Sequence, residues 1–265
     1  MSLNRAAVRP PSALWGLAGL RWLRGWWMVL VFGAQMLVLA LSPSSYRKSQ
    51  RRVICHQLVL ATAPLIPGFV VISAVVSLVI IQIVVATAAS YGLSRYALDV
   101  LVRTVVIELM PLLVALYVAL RYTLPSGEQV AGLRASGRLH ALWRSGGDPA
   151  RDELLPRVLA GVFSVALLAA ISCVLALLLT YVSVYGFTSW GFAAYTRAVG
   201  QVFNPAVTMI FVLKALFFSL SVAILPTAPD ARDAAQRQHD HIGLLGRVFS
   251  AILLVEVFAL VGNYY

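Results

Sequence analysis

Five unbroken apolar runs, each about as long as a bilayer is thick, leave this chain few ways to fold. They cover about residues 58–90, 100–122, 155–185, 203–225 and 242–262. A run of roughly 18 or more apolar residues crosses the hydrocarbon as a helix, because lipid offers backbone N–H and C=O groups no partner outside the helix's own ladder. The rest of the composition agrees: 60% of residues are hydrophobic and 12% charged, with a mean hydropathy of +0.86. A soluble domain carries about 25% charged residues. The expected fold class is an all-α membrane protein.

A net charge of +11 would suit a nucleic-acid partner, but the charges are in the wrong places. Lys and Arg residues gather between the apolar runs, 8 before the first, 6 from Arg121 to Arg157 and 3 from Arg232 to Arg247, against Arg95, Arg103 and Arg197 on the other face. That asymmetry puts the basic segments in the cytoplasm, and with five spans the C-terminus on the outer side. No nucleic-acid partner is expected. Cys55 and Cys173, far apart and without metal-ligand spacing, are expected to be small buried hydrophobes.

Two domains are expected: a cytoplasmic start with an interfacial helix over 1–53, and a five-span domain over 54–265. Residues 12–41 read as a helix rich in tryptophan (Trp15, Trp22, Trp26, Trp27). If the marginal run Gly25–Leu41 crossed the membrane, the basic cluster Arg47-Lys48…Arg51-Arg52 would lie opposite the equally basic Arg5 and Arg9. A helix lying in the headgroup region satisfies both ends. A secretory signal would have a shorter charged start and a less bulky core. Pro64 and Pro67 should kink the first span. The aromatic stretch 186–201, with Trp190 and Tyr195, suits an outer-interface segment, and Pro226 and Pro229 should end the fourth span.

Three ionisable residues fall inside spans: Glu108, Lys214 and Glu256. Each costs roughly 2.5–3.5 kcal/mol in the hydrocarbon and therefore needs a partner or water. At about 1.5 Å per residue, all three lie within roughly 8 Å of one another in depth. They suit either a structural bridge between helices or a proton relay. A secondary transporter or channel would use the latter. His56, His140, His239 and His241 all fall outside the spans, and His239-Asp240-His241 is a weak metal pattern, so no metal is expected.

Between the second and third spans, over 126–147, apolar Val130, Leu133, Leu139, Leu142 and Trp143 interleave with Arg134, Arg138 and Arg144. This predicts a short amphipathic helix interrupted at Gly132 and Gly137. Such a helix can lie on anionic headgroups or dock in a partner's groove. The chain has no P-loop, no His-Glu-x-x-His and no Gly-x-Ser-x-Gly, so the sequence supports no catalytic reading.

Several short motifs carry a family likeness. Glu108-Leu109-Met110-Pro111 is followed by Ala119-Leu120-Arg121, Asp148-Pro149, Pro156-Arg157 and Ala160-Gly161. With Lys214 and Glu256 in the last two spans, the chain resembles the MlaE-type (YrbE-like) permeases. These are membrane subunits of ABC transporters that work on lipids with MCE-domain proteins. Met110 and Leu120 stand where that family has glycines, and basic residues replace its Thr-Glu-Gln coupling segment.

The resemblance implies a non-catalytic subunit of the bacterial inner membrane, moving phospholipid or a similar lipid to or from a periplasmic MCE-domain assembly. A separate P-loop ATPase would hold ATP and Mg, this chain holding no cofactor. Two permease copies, identical or paralogous, would enclose an apolar cavity. The coupling residues would be Arg134, Arg138, Leu139, Leu142, Trp143, Arg144 and Asp148, acting on spans two and three. Arg103, near the outer end of span two, would either meet a lipid phosphate or snorkel to the headgroups.

Overall fold

The computed structural model describes residues 11–46, 48–229 and 241–264. Every regular element among them is helical. Helix α1 (Pro11–Leu41) leads through a 3₁₀ turn to α2 (Lys48–Thr62) and α3 (Leu65–Ser90). The break between α2 and α3 falls at Pro64, as expected. Both Pro64 and Pro67 sit in the first turn of α3, where a missing N–H has no partner to lose.

The next helical run is unbroken from Ser94 to Ala135. It comprises α4 (Ser94–Leu101), a π-helical stretch (Val102–Leu109), α5 (Met110–Val118), a π turn (Ala119–Thr123) and α6 (Leu124–Ala135). The helix that carries span two continues past residue 122 as far as Ala135, and, contrary to expectation, Gly132 does not interrupt the amphipathic segment. The wider π turn absorbs Pro125 at the start of α6, and one glycine costs a helix only about 1 kcal/mol. The break comes at Gly137, whose φ of +70° no β-carbon would favour. There the chain turns into α7 (Arg138–Arg144).

Asp148 then caps the next helix. Its Oδ1 accepts the Ala150 N–H at 3.1 Å, and Pro149 stands where a helix lacks a donor anyway. A π turn (Ala150–Leu154) opens into α8 (Leu155–Tyr185). α9 (Phe192–Val202) packs back on the far end of α8 through Tyr195, whose hydroxyl donates to the Leu177 carbonyl at 2.8 Å. Asn204 caps α10 (Pro205–Ile224) by accepting the Val207 N–H at 2.8 Å, and α11 (His241–Tyr264) is the last element.

Helix α8 is the keel. α2, α3, α5 and α10 all pack on it, along a stripe of Ala160, Ser164, Leu168, Ser172, Ala176 and Thr180, all buried. Apart from Leu168 these side chains are small and let neighbouring backbones come close, which is how helices hold together where lipid removes the hydrophobic drive. Buried hydroxyls find partners there, as in the 2.7 Å bond between Thr62 and Ser164.

By length and composition six described helices can cross a membrane, one more than the five expected, the extra one being Arg24–Leu41 of α1. The other five coincide with the expected spans apart from the long extensions contributed by α2 and α6. Both cysteines are free thiols, but Cys55 is exposed on α2 and not buried as expected. Arg5, Arg9, Arg47, Arg232, His239 and Asp240 lie outside the described residues.

Candidate functional site

The three intramembrane charges meet. Lys214 on α10 lies 2.5 Å from Glu108 Oε2 and 2.9 Å from Glu256 Oε1 on α11. Its side chain is 1% exposed. The ammonium sits 5.8 Å from the centre of the Phe218 ring, a distance at which the ring face attracts a cation. Asn263, unnoticed in the sequence, donates to Glu108 Oε1 at 3.1 Å. It lies two turns beyond Glu256 on the same face of α11, a spacing that flags it in retrospect.

Local backbone chemistry explains why Lys214 docks here. Pro111 has no N–H, so it cannot bond the carbonyl four residues back, at Ile107. At the exit from the π-helical stretch Met110 N–H bonds Val105 instead, leaving Val106 without that donor as well. Lys214 Nζ lies 3.4 Å from the Ile107 carbonyl, and Cys173 Sγ lies 3.8 Å from that of Val106. The π turn and the proline thus open two acceptors inside an apolar helix, and a buried cation takes one. Met110 is fully buried and accepts a weak bond from Ser77 at 3.8 Å. Leu109 is partly buried and Pro111 buried. Arg103 lies in the same π-helical stretch and is partly buried, at the end of the run away from the elbow formed by α6 and α7.

At the opposite end, the elbow divides into two parts. In α6, Val130 is fully buried among Phe32, Met36, Leu154, Val158 and Ala223. Arg134 points inward, its guanidinium donating to the Thr227 carbonyl at 2.7 Å and the Ala228 carbonyl at 3.1 Å. In α7 nothing is buried. Arg138, Trp143 and Arg144 are exposed, Trp143 at 71%, and Leu139 and Leu142 are partly so.

Below the elbow, Asp148 is the helix cap described above, and Arg157 pairs with Glu153 at 2.5 Å. Tyr122 donates to the Arg157 carbonyl at 3.3 Å, and Gln50 on α2 bonds Asp152. Pro156 is buried and Pro149 partly buried at the start of α8, while Arg121 is exposed. Among the described residues no group of His, Cys, Asp and Glu is arranged to hold a metal ion.

Apolar helices packed through small residues, with a buried ion cluster and a basic elbow at one end, define a multi-pass helical membrane protein. Residues 54–229, well over half of the chain, match the model of the family described as Permease MlaE, and the chain belongs to that family. It is therefore a membrane permease subunit of an ABC transporter. The match takes in Glu108, Lys214 and the elbow, and ends before Glu256. Among curated proteins none matches the chain.

Proposed function

We propose that this subunit moves phospholipid or a similar hydrophobic lipid between the inner membrane and a periplasmic MCE-domain protein. A separate ATPase, binding ATP and Mg, drives it by docking on α7. The observation that carries the reading is the exposed Arg138–Trp143–Arg144 face of α7, joined through α6 to an unbroken membrane helix. Tryptophan and arginine are the residues most often found to anchor interfaces. A largely exposed tryptophan beside two arginines therefore suits a protein groove better than water.

The positive-inside asymmetry places this elbow in the cytoplasm, with the N-terminus, and the C-terminus in the periplasm. For α1 the same asymmetry favours a helix lying in the interface, and only 11% of its apolar window is buried in the fold. A second copy, or a paralogue, would cover the apolar faces of α3 and α11 and close a cavity whose walls solvate acyl chains. The ion cluster serves as a bridge locking the π-helical stretch Val102–Leu109, α10 and α11. A proton-relay reading gains no support, because Lys214 already pairs with both carboxylates at 1% exposure.

The test is co-purification of a P-loop ATPase with the chain carrying Arg138→Glu, Trp143→Ala and Arg144→Glu. The expected result is loss of the ATPase with an unchanged melting temperature. An ATPase that stays bound at full yield refutes the assignment of α7.

A further inference from the structure

Thr123, Gly127, Val130 and Arg134 follow one another at intervals of four, three and four residues, which sets them on a single stripe of the α6 face. Each meets the elbow end of α10 or the turn after it. Thr123 and Ala223 close on Gly161 so tightly that a β-carbon there would lie 3.2 and 3.1 Å from them. Gly127 rests on Pro226, whose carbonyl oxygen would stand 2.5 Å from an added β-carbon. Val130 packs in one cluster with Ala223, with Ala228 against it. Arg134 spans the Thr227 and Ala228 carbonyls with two nitrogens of its fork. These carbonyls lie just past the helix end, where the ladder has no donors left and the helix dipole favours a cation.

We infer that Arg134 is a positioning residue: it bolts α6 to the inner end of the α10 span, so that force entering at α7 is delivered to α10 and, about 15 Å along that stiff helix, to Lys214. This rests on the proposed ATPase contact at α7. It departs from the family-based expectation that the elbow acts on spans two and three. α6 is the continuation of span two, but its side chains grip the end of span four. The elbow thus has one half for a partner and one half for its own chain. α10 holds the π-helical stretch Val102–Leu109 and α11 through the lysine, so a shift of α10 reaches both neighbours without passing through lipid.

The experiment uses the complete transporter in proteoliposomes, comparing Arg134→Ala, Arg134→Lys and Gly127→Ala with the parent. Three quantities are read: bound ATPase, ATP hydrolysis and lipid transferred. For Arg134→Ala, ATPase binding and hydrolysis should stay near the parent level while lipid moved per ATP falls about tenfold or more. Arg134→Lys, which keeps a cation able to reach one carbonyl, should recover part of that ratio. Gly127→Ala, which forces the two segments apart while leaving Arg134 in place, should uncouple as well.

An unchanged ratio in Arg134→Ala overturns the inference, as does a proportional fall of hydrolysis and transfer. Loss of the ATPase from Arg134→Ala also overturns it, because Arg134 would then belong to the partner contact. If Arg134→Ala does not fold, the ratios of Arg134→Lys and Gly127→Ala decide. Failure of the parent chain to bind any ATPase would instead sink the proposed function, so the two outcomes are distinct.

Discussion

Removing Lys214 is the most informative perturbation of the fold. The buried ammonium neutralises two carboxylates at 2.5 and 2.9 Å. With Lys214→Met, both lose their cation, and Glu108 keeps only Asn263. Breaking a buried pair by deleting one partner costs about 3–5 kcal/mol. Glu108→Gln should cost less, about 1–3 kcal/mol, because Lys214 keeps Glu256.

Replacing Lys214, Glu108 and Glu256 together by methionine should restore most of the loss, since no unpaired charge remains. The readout is thermal unfolding in nanodiscs, followed by the reactivity of Cys173 in a Cys55→Ser background. Cys173 is partly buried beside the cluster while Cys55 is exposed. The expected order of stability is parent near the triple variant, then Glu108→Gln, then Lys214→Met. A Lys214→Met protein as stable as the parent, or a triple variant less stable than Lys214→Met, refutes the reasoning.

Gly161→Val should lower stability by about 1–3 kcal/mol through overpacking against Thr123 and Ala223, measured by the same thermal assay, whereas Gly132→Ala, with open space around it, should be neutral or stabilising. Asp148→Ala should lose the cap on α8 and about 0.5–2 kcal/mol, and Asp148→Ser should recover most of it. Equal melting temperatures for the alanine and serine variants would show that the capping bond contributes little.

The ion cluster was legible because charges stand out against an apolar background and helix rise converts sequence position into depth. Asn263 was not, since a neutral amide at the edge of an apolar run reads as the tail of a span. The elbow was only half legible. Val130 and Arg134 share the apolar and basic pattern of Leu139 and Arg144, yet the first pair is spent inside the molecule and the second faces outward. An amphipathic pattern says that a face will be covered, not by whom. The keel of α8 escaped for a different reason. With apolar residues on every side the helix has no polar face to contrast with, and only the recurrence of small residues from Ala160 to Thr180 marks the buried one. The π-helical stretches leave no signal in residue type, which is why the continuity from Ser94 to Ala135 came as a correction.

One missing hydrogen has the widest reach. Because Pro111 offers no amide proton, the oxygen at Ile107 lacks its α-helical donor and is open to the ammonium. Pro111→Ala would straighten the ladder and give that oxygen a competing suitor. The span would become a better helix and a worse socket, with its local order and its grip on α10 changing in opposite directions. In this subunit an imperfection in one strut is what lets three struts share a charge.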